Sequence, residues 1–304
     1  MKVFREDTES VPYEGTVVAL GNFDGLHIAH MQIIRSGIAY ARERGLKSGV
    51  LLFEQNTKNV TGNKRIELIT PNTIKLELLE REDLDFVYMR YFTREYMSKS
   101  PEEFFKLLVE KLHVKAVCCG YDYSFGYMAQ GRVNTLRQLG KKYGVDVLVT
   151  EMVTTEGTVV SSTCIRGLIK SGDMEFTEKM LGRRYCVEGY VVKGKQNGTK
   201  IGFPTANVNY DPQMAIPQTG VYAGITYANG KRLKSVINVG DNPTFNGDKL
   251  TIESHILDYN ENLYGEFIRV SFAKRLRGDI KFESIDELKK QIHRDVEQVR
   301  AMDL

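Results

Sequence analysis

The chain has 304 residues, a length that suggests about two domains. Its 42% apolar content is ample for hydrophobic cores and argues against an intrinsically disordered protein. The net charge of +3 permits anionic substrates such as nucleotides, but it disfavours a nucleic-acid-binding protein, in which a strongly basic domain or stripe is expected.

The four cysteines, Cys118, Cys119, Cys164 and Cys186, contain no C-x-x-C pair. We interpret them as small buried hydrophobic residues in a reducing compartment rather than as metal or redox sites. Acidic residues stand where a signal peptide would have its apolar core, and no apolar run of the sequence approaches the ~20 residues that span a bilayer. We therefore expect a cytoplasmic protein that binds neither membrane nor nucleic acid. The sequence leaves its oligomeric state open.

The first part of the chain alternates strand patterns with helix patterns. Apolar residues three and four apart over 28–41 predict one helix face, and Ser100 followed by Pro101 predicts the start of another helix. Short apolar runs typical of buried parallel strands occur at 17–20, 50–53, 86–88, 116–119 and 145–149. This alternation predicts an α/β fold with a doubly wound sheet.

After about residue 182 short β-type runs replace the helical pattern. They cover 185–192, 221–227, 235–239, 251–257 and 268–272, with turn pairs at Asn229-Gly230 and Asn246-Gly247. This texture predicts an antiparallel barrel or sandwich. Ser284 and Glu287 form a capping-box pattern that predicts a C-terminal helix. We therefore predict two domains, residues 1–182 and 183–304.

A glycine-rich turn with two histidines follows the first α/β strand. Gly21 and Gly25 would let backbone amides approach a phosphate group, and the next helix would present its positive N-terminus to the same group. His27 and His30 are three residues apart, so a helical turn places both imidazoles on one face. A structural glycine turn and a chance surface pair of histidines are the alternatives for these features taken singly.

As a whole, the run 21–30 looks like the H-x-G-H signature of the nucleotidyltransferase superfamily, preceded by the G-x-F-D-G stretch of the bacterial FAD synthetase branch. The run 160–166 is similar to the S-S-T-x-I-R segment of that domain, and 120–126 resembles a family loop on the flavin side of the site. The resemblance implies catalytic roles for His27 and His30. It implies phosphate or ATP contacts for Gly21, Phe23, Asp24, Gly25, Ser161, Ser162, Thr163 and Arg166, and flavin contacts for Asp122 and Phe125.

Three positions depart from the family pattern of this half. Ala29 replaces a glycine of the signature, Asn56 stands where a histidine is usual, and Ser124 stands where an arginine is common. These departures concern the rate or the substrate preference of the first half.

A second glycine-rich segment lies in the other half. Gly194, Gly198 and Gly202 are four apart and lead into 203–207, without the spacing of a Walker A motif or a Rossmann fingerprint. Glycines so spaced suggest a loop that folds over a phosphate chain, and a simple mobile hairpin is the alternative. The joined string is a strong match to the G-F-P-T-A-N motif of riboflavin kinases, and 220–224, 238–245 and 263–265 follow the order of that family.

The match to riboflavin kinases implies roles for further residues. Glu253 matches the general base, although without the match it would be an ordinary strand-edge carboxylate. Thr205 and Asn207 match a pair that contacts magnesium and phosphate. The glycines 194, 198 and 202 would bind ATP, and Tyr222 would contact the flavin.

Over nearly its full length the chain thus resembles the bacterial bifunctional riboflavin kinase/FMN adenylyltransferase family. That resemblance implies a transferase that phosphorylates riboflavin to FMN and adenylylates FMN to FAD, with Mg²⁺ as cofactor, ATP as co-substrate and FMN or FAD as substrate or product. Two alternatives remain open on the sequence: an enzyme with a single activity, and a flavin-responsive regulator that has lost turnover.

Overall fold

A computed structural model describes residues 1–5, 10–55, 66–194, 196–244 and 247–304. The chain divides into two compact units, Met1–Ser162 and Thr163–Leu304. The boundary predicted after residue 182 marks the change from helical to β-type sequence and stays a prediction. The helices between residues 163 and 182 group with the C-terminal unit by their contacts. No helix in the described ranges combines the length and apolar character that a membrane crossing requires.

The N-terminal unit contains a parallel sheet whose described strands run in the order β1-β4-β3-β2-β5-β8. The strands are β1 (Lys2–Arg5), β2 (Thr16–Leu20), β3 (Lys47–Phe53), β4 (Phe86–Arg90), β5 (Val114–Gly120) and β8 (Asp146–Thr150). Among the described residues this unit also has two short hairpins, β6 (Ser124–Phe125) with β7 (Gly131–Arg132) and β9 (Thr154–Thr155) with β10 (Thr158–Val159). The helices are α1 (Ile28–Glu43), α2 (Asn72–Glu80), α3 (Arg94–Met97), α4 (Pro101–Leu112) and α5 (Val133–Tyr143), and α6 (Ser162–Ser171) begins at its end.

Both faces of this sheet are covered, as the doubly wound prediction requires. Successive side chains of a strand point to opposite faces. In β2, Val18 and Leu20 belong to a core with α4 and α5, whereas Val17 and Ala19 belong to a core with α1. Ser100 caps α4 in a full capping box with Pro101 at the first turn, which confirms the predicted helix start.

The strand order creates a crevice at β2. The chain runs from β2 outward through β3 and β4, then crosses back to place β5 on the other side of β2 and β8 beyond it. Loops that leave the carboxyl ends of β2 and β5 therefore turn away from each other. In open α/β sheets ligands bind at this switch point.

The C-terminal unit is a closed barrel in the order β11-β12-β15-β14-β13-β16 with antiparallel neighbours. Its strands are β11 (Tyr185–Val192), β12 (Ala206–Tyr210), β13 (Gly220–Ala228), β14 (Lys231–Thr244), β15 (Gly247–Ile256) and β16 (Phe267–Arg277). Its helices, after α6, are α7 (Met174–Leu181), α8 (Asn197–Lys200) and α9 (Ile285–Ala301). The predicted barrel and C-terminal helix are thus confirmed.

Successive side chains of β15 point to opposite faces of the barrel wall. Ser254 is buried and its hydroxyl lies 2.7 Å from that of Thr226, which in turn accepts from Ser235. Glu253 therefore faces the other side, next to its cross-strand partners Asn207 and Asn238. The fold thus places a carboxylate between two amide side chains on the outer face.

The start of α9 differs in one detail from the capping box expected there. Ser284 accepts from the backbone N–H of Glu287, as predicted, but the Glu287 carboxylate accepts from the N–H of Glu283. The carboxylate thus accepts from the residue before the N-cap instead of from Ser284 itself. The helix is further tied to the barrel by Asp295, which is 3% exposed and accepts from Arg277.

Candidate active sites

The turn after β2 is held in an unusual backbone conformation. Phe23, Gly25 and Leu26 have φ angles of 48°, 92° and 40°. Phe23 and Leu26 are fully buried, so packing stabilises the strained conformation. At Gly25 a Cβ atom would lie 3.3 Å from Ile69 Cδ1 in addition to the backbone strain. The positive φ and this tight contact together favour glycine where the turn passes Ile69.

Asp24 ties this turn to two other segments of the N-terminal unit. It is 3% exposed, and its Oδ1 accepts from the backbone N–H groups of Ile69 at 3.0 Å and Thr70 at 3.3 Å. Its carbonyl oxygen accepts from the Ser162 hydroxyl at 2.8 Å. The carboxylate predicted to serve ATP is thus engaged inside the protein.

His27 and His30 lie together at the start of α1. Their rings are stacked with centroids 3.5 Å apart and an angle of 15° between the planes. His27 caps the helix, because its Nδ1 accepts from the backbone N–H of His30 at 3.3 Å. The proton of the neutral His27 ring is therefore on Nε2. No acidic residue occupies the first turn of α1, so the positive helix end is not neutralised from within that turn.

The two sequence motifs of this half meet at Ser162. Its hydroxyl donates to Asp24 of the first motif, and it opens α6. Thr163 and Arg166 follow on the same helix. The structure thus joins Ser162 to the turn, whereas the phosphate contacts of Ser161, Thr163 and Arg166 stay predictions.

A cleft of about 450 Å³ opens at the carboxyl ends of β5 and β8. Asp122, predicted to contact flavin, lines it, and Phe125 stacks behind a lining residue, Tyr123, at 5.6 Å. Burial raises the pKa of the Tyr123 phenol well above its ordinary value, so that it stays a neutral donor. Arg132, Asn134 and Arg137 also line the cleft and belong to none of the sequence motifs. Only their position, around the β6–β7 hairpin and the start of α5, indicates that they belong to the site.

The positions that depart from the family pattern are placed as follows. Ala29 lies in the first turn of α1 and leaves the helix start intact. Ser124 is exposed on β6. Asn56 lies outside the described residues.

In the C-terminal unit, three polar residues form a row on the outer face of the barrel. Glu253 of β15 pairs with Asn207 of β12 on one side and with Asn238 of β14 on the other. Side chains opposite each other in such pairs have Cβ atoms about 4.5–5.5 Å apart. Asn238 was not predicted as a site residue, because only the strand register shows that it is next to Glu253.

The glycine segment lies against this row. A Cβ atom on Gly194 would come within 2.5 Å of the Asn207 side-chain nitrogen, and one on Gly198 within 2.3 Å of the Phe203 carbonyl oxygen. These two positions are glycine because of close approach. The segment therefore covers the Asn207 amide at a distance that no side chain would permit.

The strand that carries Asn207 is anchored just before it begins. Phe203 is 8% exposed and packs edge-on against His255 of β15 and His293 of α9, with centroids 5.5 Å and 4.9 Å away. The Nδ1–H of His255 donates to the Pro204 carbonyl oxygen at 2.8 Å. Thr205 lies between this anchor and β12, so the contacts on both sides fix its backbone.

Tyr222 lies in the barrel interior. It is fully buried, its ring packs edge-on against Phe272 at 5.4 Å, and its hydroxyl donates to the Gln218 carbonyl oxygen at 2.5 Å. Burial raises its pKa to about 12. These are the contacts of a core residue, and the flavin contact of Tyr222 stays a prediction.

Comparison with known proteins identifies both halves. Residues 10–164 match the model of the FAD synthetase family, and residues 181–302 match that of riboflavin kinase. The bifunctional riboflavin kinase/FMN adenylyltransferase of Bacillus subtilis (strain 168) is 33% identical over 93% of this chain and 91% of its own length. The chain belongs to this bifunctional family. The family member of Escherichia coli (strain K12) is 35% identical over 97% of this chain and 96% of its own length.

A solved structure shares the whole architecture. The crystal structure described as a macrolide-efflux protein from Streptococcus pneumoniae covers 100% of both chains with a TM-score of 0.92 and 28% identity. The two family models leave 165–180 between them. That interval contains most of α6 and nearly all of α7.

The contact between Gly194 and Asn207 gives a test of the C-terminal site. Gly194→Ala places a methyl group against the Asn207 amide and must displace it, and small displacements of positioning groups can cost about 10²-fold in rate. We expect a loss of riboflavin phosphorylation of that order, with FAD formation from supplied FMN unchanged. The rates are measured separately by resolving the flavins chromatographically.

A matched control for this substitution is Gly278→Ala in the same unit, where the nearest atom to the new Cβ, Arg275 Nη2, is 3.5 Å away. It should leave phosphorylation unchanged. Equal losses in the two variants would show that the close approach at Gly194 is not what matters.

Proposed function

We propose that the C-terminal unit phosphorylates riboflavin to FMN with ATP and that the N-terminal unit adenylylates FMN to FAD with a second ATP. One observation carries the proposal: each unit holds its own group of polar side chains beside a glycine-containing segment, an arrangement suited to a phosphate group. One is the row of Asn207, Glu253 and Asn238 under Gly194, and the other is the strained turn that ends in the stacked His27 and His30. Because both steps consume ATP, the cytoplasm is the location we propose.

In the kinase step Glu253 is the proposed base. The 5′-hydroxyl oxygen of riboflavin bonds to the γ-phosphorus of ATP, the bond from that phosphorus to the ADP oxygen breaks, and the hydroxyl proton passes to the Glu253 carboxylate. The amides of Asn207 and Asn238 stand on either side of Glu253 in the strand register. Their donors would orient the carboxylate toward the hydroxyl.

The donor set of this site fits magnesium. Among the described residues no group of three or more His, Cys, Asp or Glu side chains is arranged to hold a metal ion. Mg²⁺ is commonly held by few protein oxygens together with water and substrate phosphates. Asn207, opposite Glu253 in the strand register, offers an amide oxygen, and Thr205, two residues earlier in the chain, offers a hydroxyl. The ion would neutralise phosphate charge, and these two residues would bind it.

In the adenylyl transfer a phosphate oxygen of FMN bonds to the α-phosphorus of ATP, and the bond to pyrophosphate breaks. No protein nucleophile is required. The ring of His27 and the start of α1 offer hydrogen-bond donors and positive potential to the phosphates. His30 and Arg166 are the further cations or donors that we assign to the developing charge.

The alternative of a single activity rests on the three positions of the first half that depart from the family pattern. Ala29 adds one methyl group and stands within an intact helix start. Ser124 lacks the positive charge that an arginine would carry at this exposed position of β6. The turn, the histidine pair and Ser162 remain in place, so we propose a slower adenylyltransferase rather than an inactive one.

Glu253→Gln tests the kinase assignment. The amide keeps the shape of the side chain but cannot accept the proton, so riboflavin phosphorylation should fall by about 10²–10⁴-fold. FAD formation from supplied FMN should be unchanged, because that reaction belongs to the N-terminal unit. An equal loss of both activities would contradict the assignment.

The adenylyltransferase assignment is tested with His27→Asn/His30→Ala. Asparagine can still cap α1, so the variant removes the imidazoles without removing the cap. We expect FAD formation from FMN and MgATP to fall by at least about 10²–10³-fold, because hydrogen-bond donors to the reacting phosphates are lost. Phosphorylation of riboflavin is the internal control. Wild-type protein that forms no more FAD than this variant would reduce the proposal to a kinase alone.

A further inference from the structure

His255 of β15 holds the peptide that leads into Thr205. Its Nδ1 lies 2.8 Å from the Pro204 carbonyl oxygen, and this nitrogen is the donor because a carbonyl oxygen can only accept. The peptide unit between Pro204 and Thr205 is planar, so a hydrogen bond to its oxygen also sets the direction of the Thr205 N–H and the position of its Cα. His255 therefore fixes the backbone directly before the predicted magnesium contact.

The chain before this peptide unit has little freedom left. The pyrrolidine ring restricts the φ angle of Pro204, and it restricts Phe203 to extended conformations. The Phe203 ring is 8% exposed and lies edge-on to His255 and His293, with centroids 5.5 Å and 4.9 Å away. The backbone N–H of Phe203 donates to the Gly198 carbonyl oxygen at 2.8 Å. The torsion that these contacts leave is the ψ angle of Pro204, and that torsion turns the carbonyl group that His255 holds.

His255 stands on the same strand as the proposed base. Residues two apart in a strand share a face and lie about 6.5 Å apart. His255 and Glu253 therefore both belong to the outer face of β15, on either side of the buried Ser254. The residues that follow Thr205 pair with Ser254 and Glu253 in the sheet. The same short stretch of β15 thus contacts the chain on both sides of Thr205 and presents the proposed base.

We propose that His255 is a positioning residue of the kinase reaction, which holds Thr205 in place relative to Glu253 through the Pro204 carbonyl. This inference rests on the proposed kinase function of the C-terminal unit. In this role His255 transfers no proton and binds no phosphate, and its ring supplies a hydrogen-bond donor and a packing surface. His255 has none of the roles that the match to riboflavin kinases implies.

Two substitutions in the full chain, His255→Asn and His255→Leu, separate the hydrogen bond from the packing. In asparagine the side-chain nitrogen can take the place of Nδ1, but most of the ring is lost. Leucine branches at the same atom and still packs against Phe203, but it has no donor. His293→Leu is the matched control, because it removes the imidazole on the other side of the Phe203 ring and keeps the donor to Pro204.

Riboflavin phosphorylation is measured as kcat and KM from the sum of FMN and FAD formed. Amide hydrogen exchange of the same samples is followed by mass spectrometry. We expect His255→Leu to lower kcat at least about tenfold, with a smaller change in KM for riboflavin, because Thr205 is displaced from the reacting groups.

Exchange in His255→Leu should become faster in the peptide that spans residues 203–209 and stay unchanged in β13 and β16, because the opening is local. His255→Asn should recover most of the rate and of the protection. His293→Leu should retain more of the rate than His255→Leu.

Two results would overturn the proposal. One is a His255→Leu variant that phosphorylates riboflavin at least as fast as His255→Asn, which is the outcome of a packing role. The other is an exchange rate that rises throughout the barrel together with the loss of activity, which is the outcome of a merely structural histidine. If the wild type itself formed no FMN from riboflavin and MgATP, the proposed function of this unit would fail, and the inference with it.

Discussion

The buried carboxylate of Asp24 is the contact on which the N-terminal site depends. A sheet of this type supplies a crevice at its switch point but does not by itself shape the loop there. Hydrogen bonds from Ile69 and Thr70 to the carboxylate, and from Ser162 to the carbonyl, fix the turn from three directions. The positive φ angles of Phe23 and Leu26 are tolerated because packing around their fully buried side chains stabilises them. The stacked histidines take their position from that turn.

The C-terminal site depends on a different constraint, the alternation of side chains in a closed barrel. Packing of the interior fixes which residues of β12, β14 and β15 face outward. Asn207, Glu253 and Asn238 then become neighbours without any contact among distant loops. The glycine segment adds a cover whose close approach to Asn207 excludes any side chain at residue 194.

The elements with a strong local pattern were predictable. Both sets of core strands follow apolar runs, and Asn229-Gly230 forms a tight hairpin turn in which both residues have positive φ, 48° and 72°. The strand β1 was missed because Lys2–Arg5 is short and mostly exposed, and its pairing with β4 is a long-range contact. The strand β12 was missed because the sequence there was interpreted as a motif rather than as a strand.

The candidate sites, like the fold, were predictable from the sequence only in part. The spacing of His27 and His30 led to a shared position, but it could not show which ring caps the helix. The family resemblance pointed to Asp24 as an ATP contact, whereas its burial and its backbone partners appear only in three dimensions. Asn238 is a site residue only by its strand register, which no local sequence pattern shows.

We propose that two separate sites act in sequence on one flavin. The most direct measurement is a time course of purified full-length protein with riboflavin and excess MgATP, with riboflavin, FMN and FAD resolved chromatographically. The account predicts that FMN appears first and that FAD follows at the expense of FMN. An accumulation of FMN with no FAD, even when FMN is supplied, would contradict it.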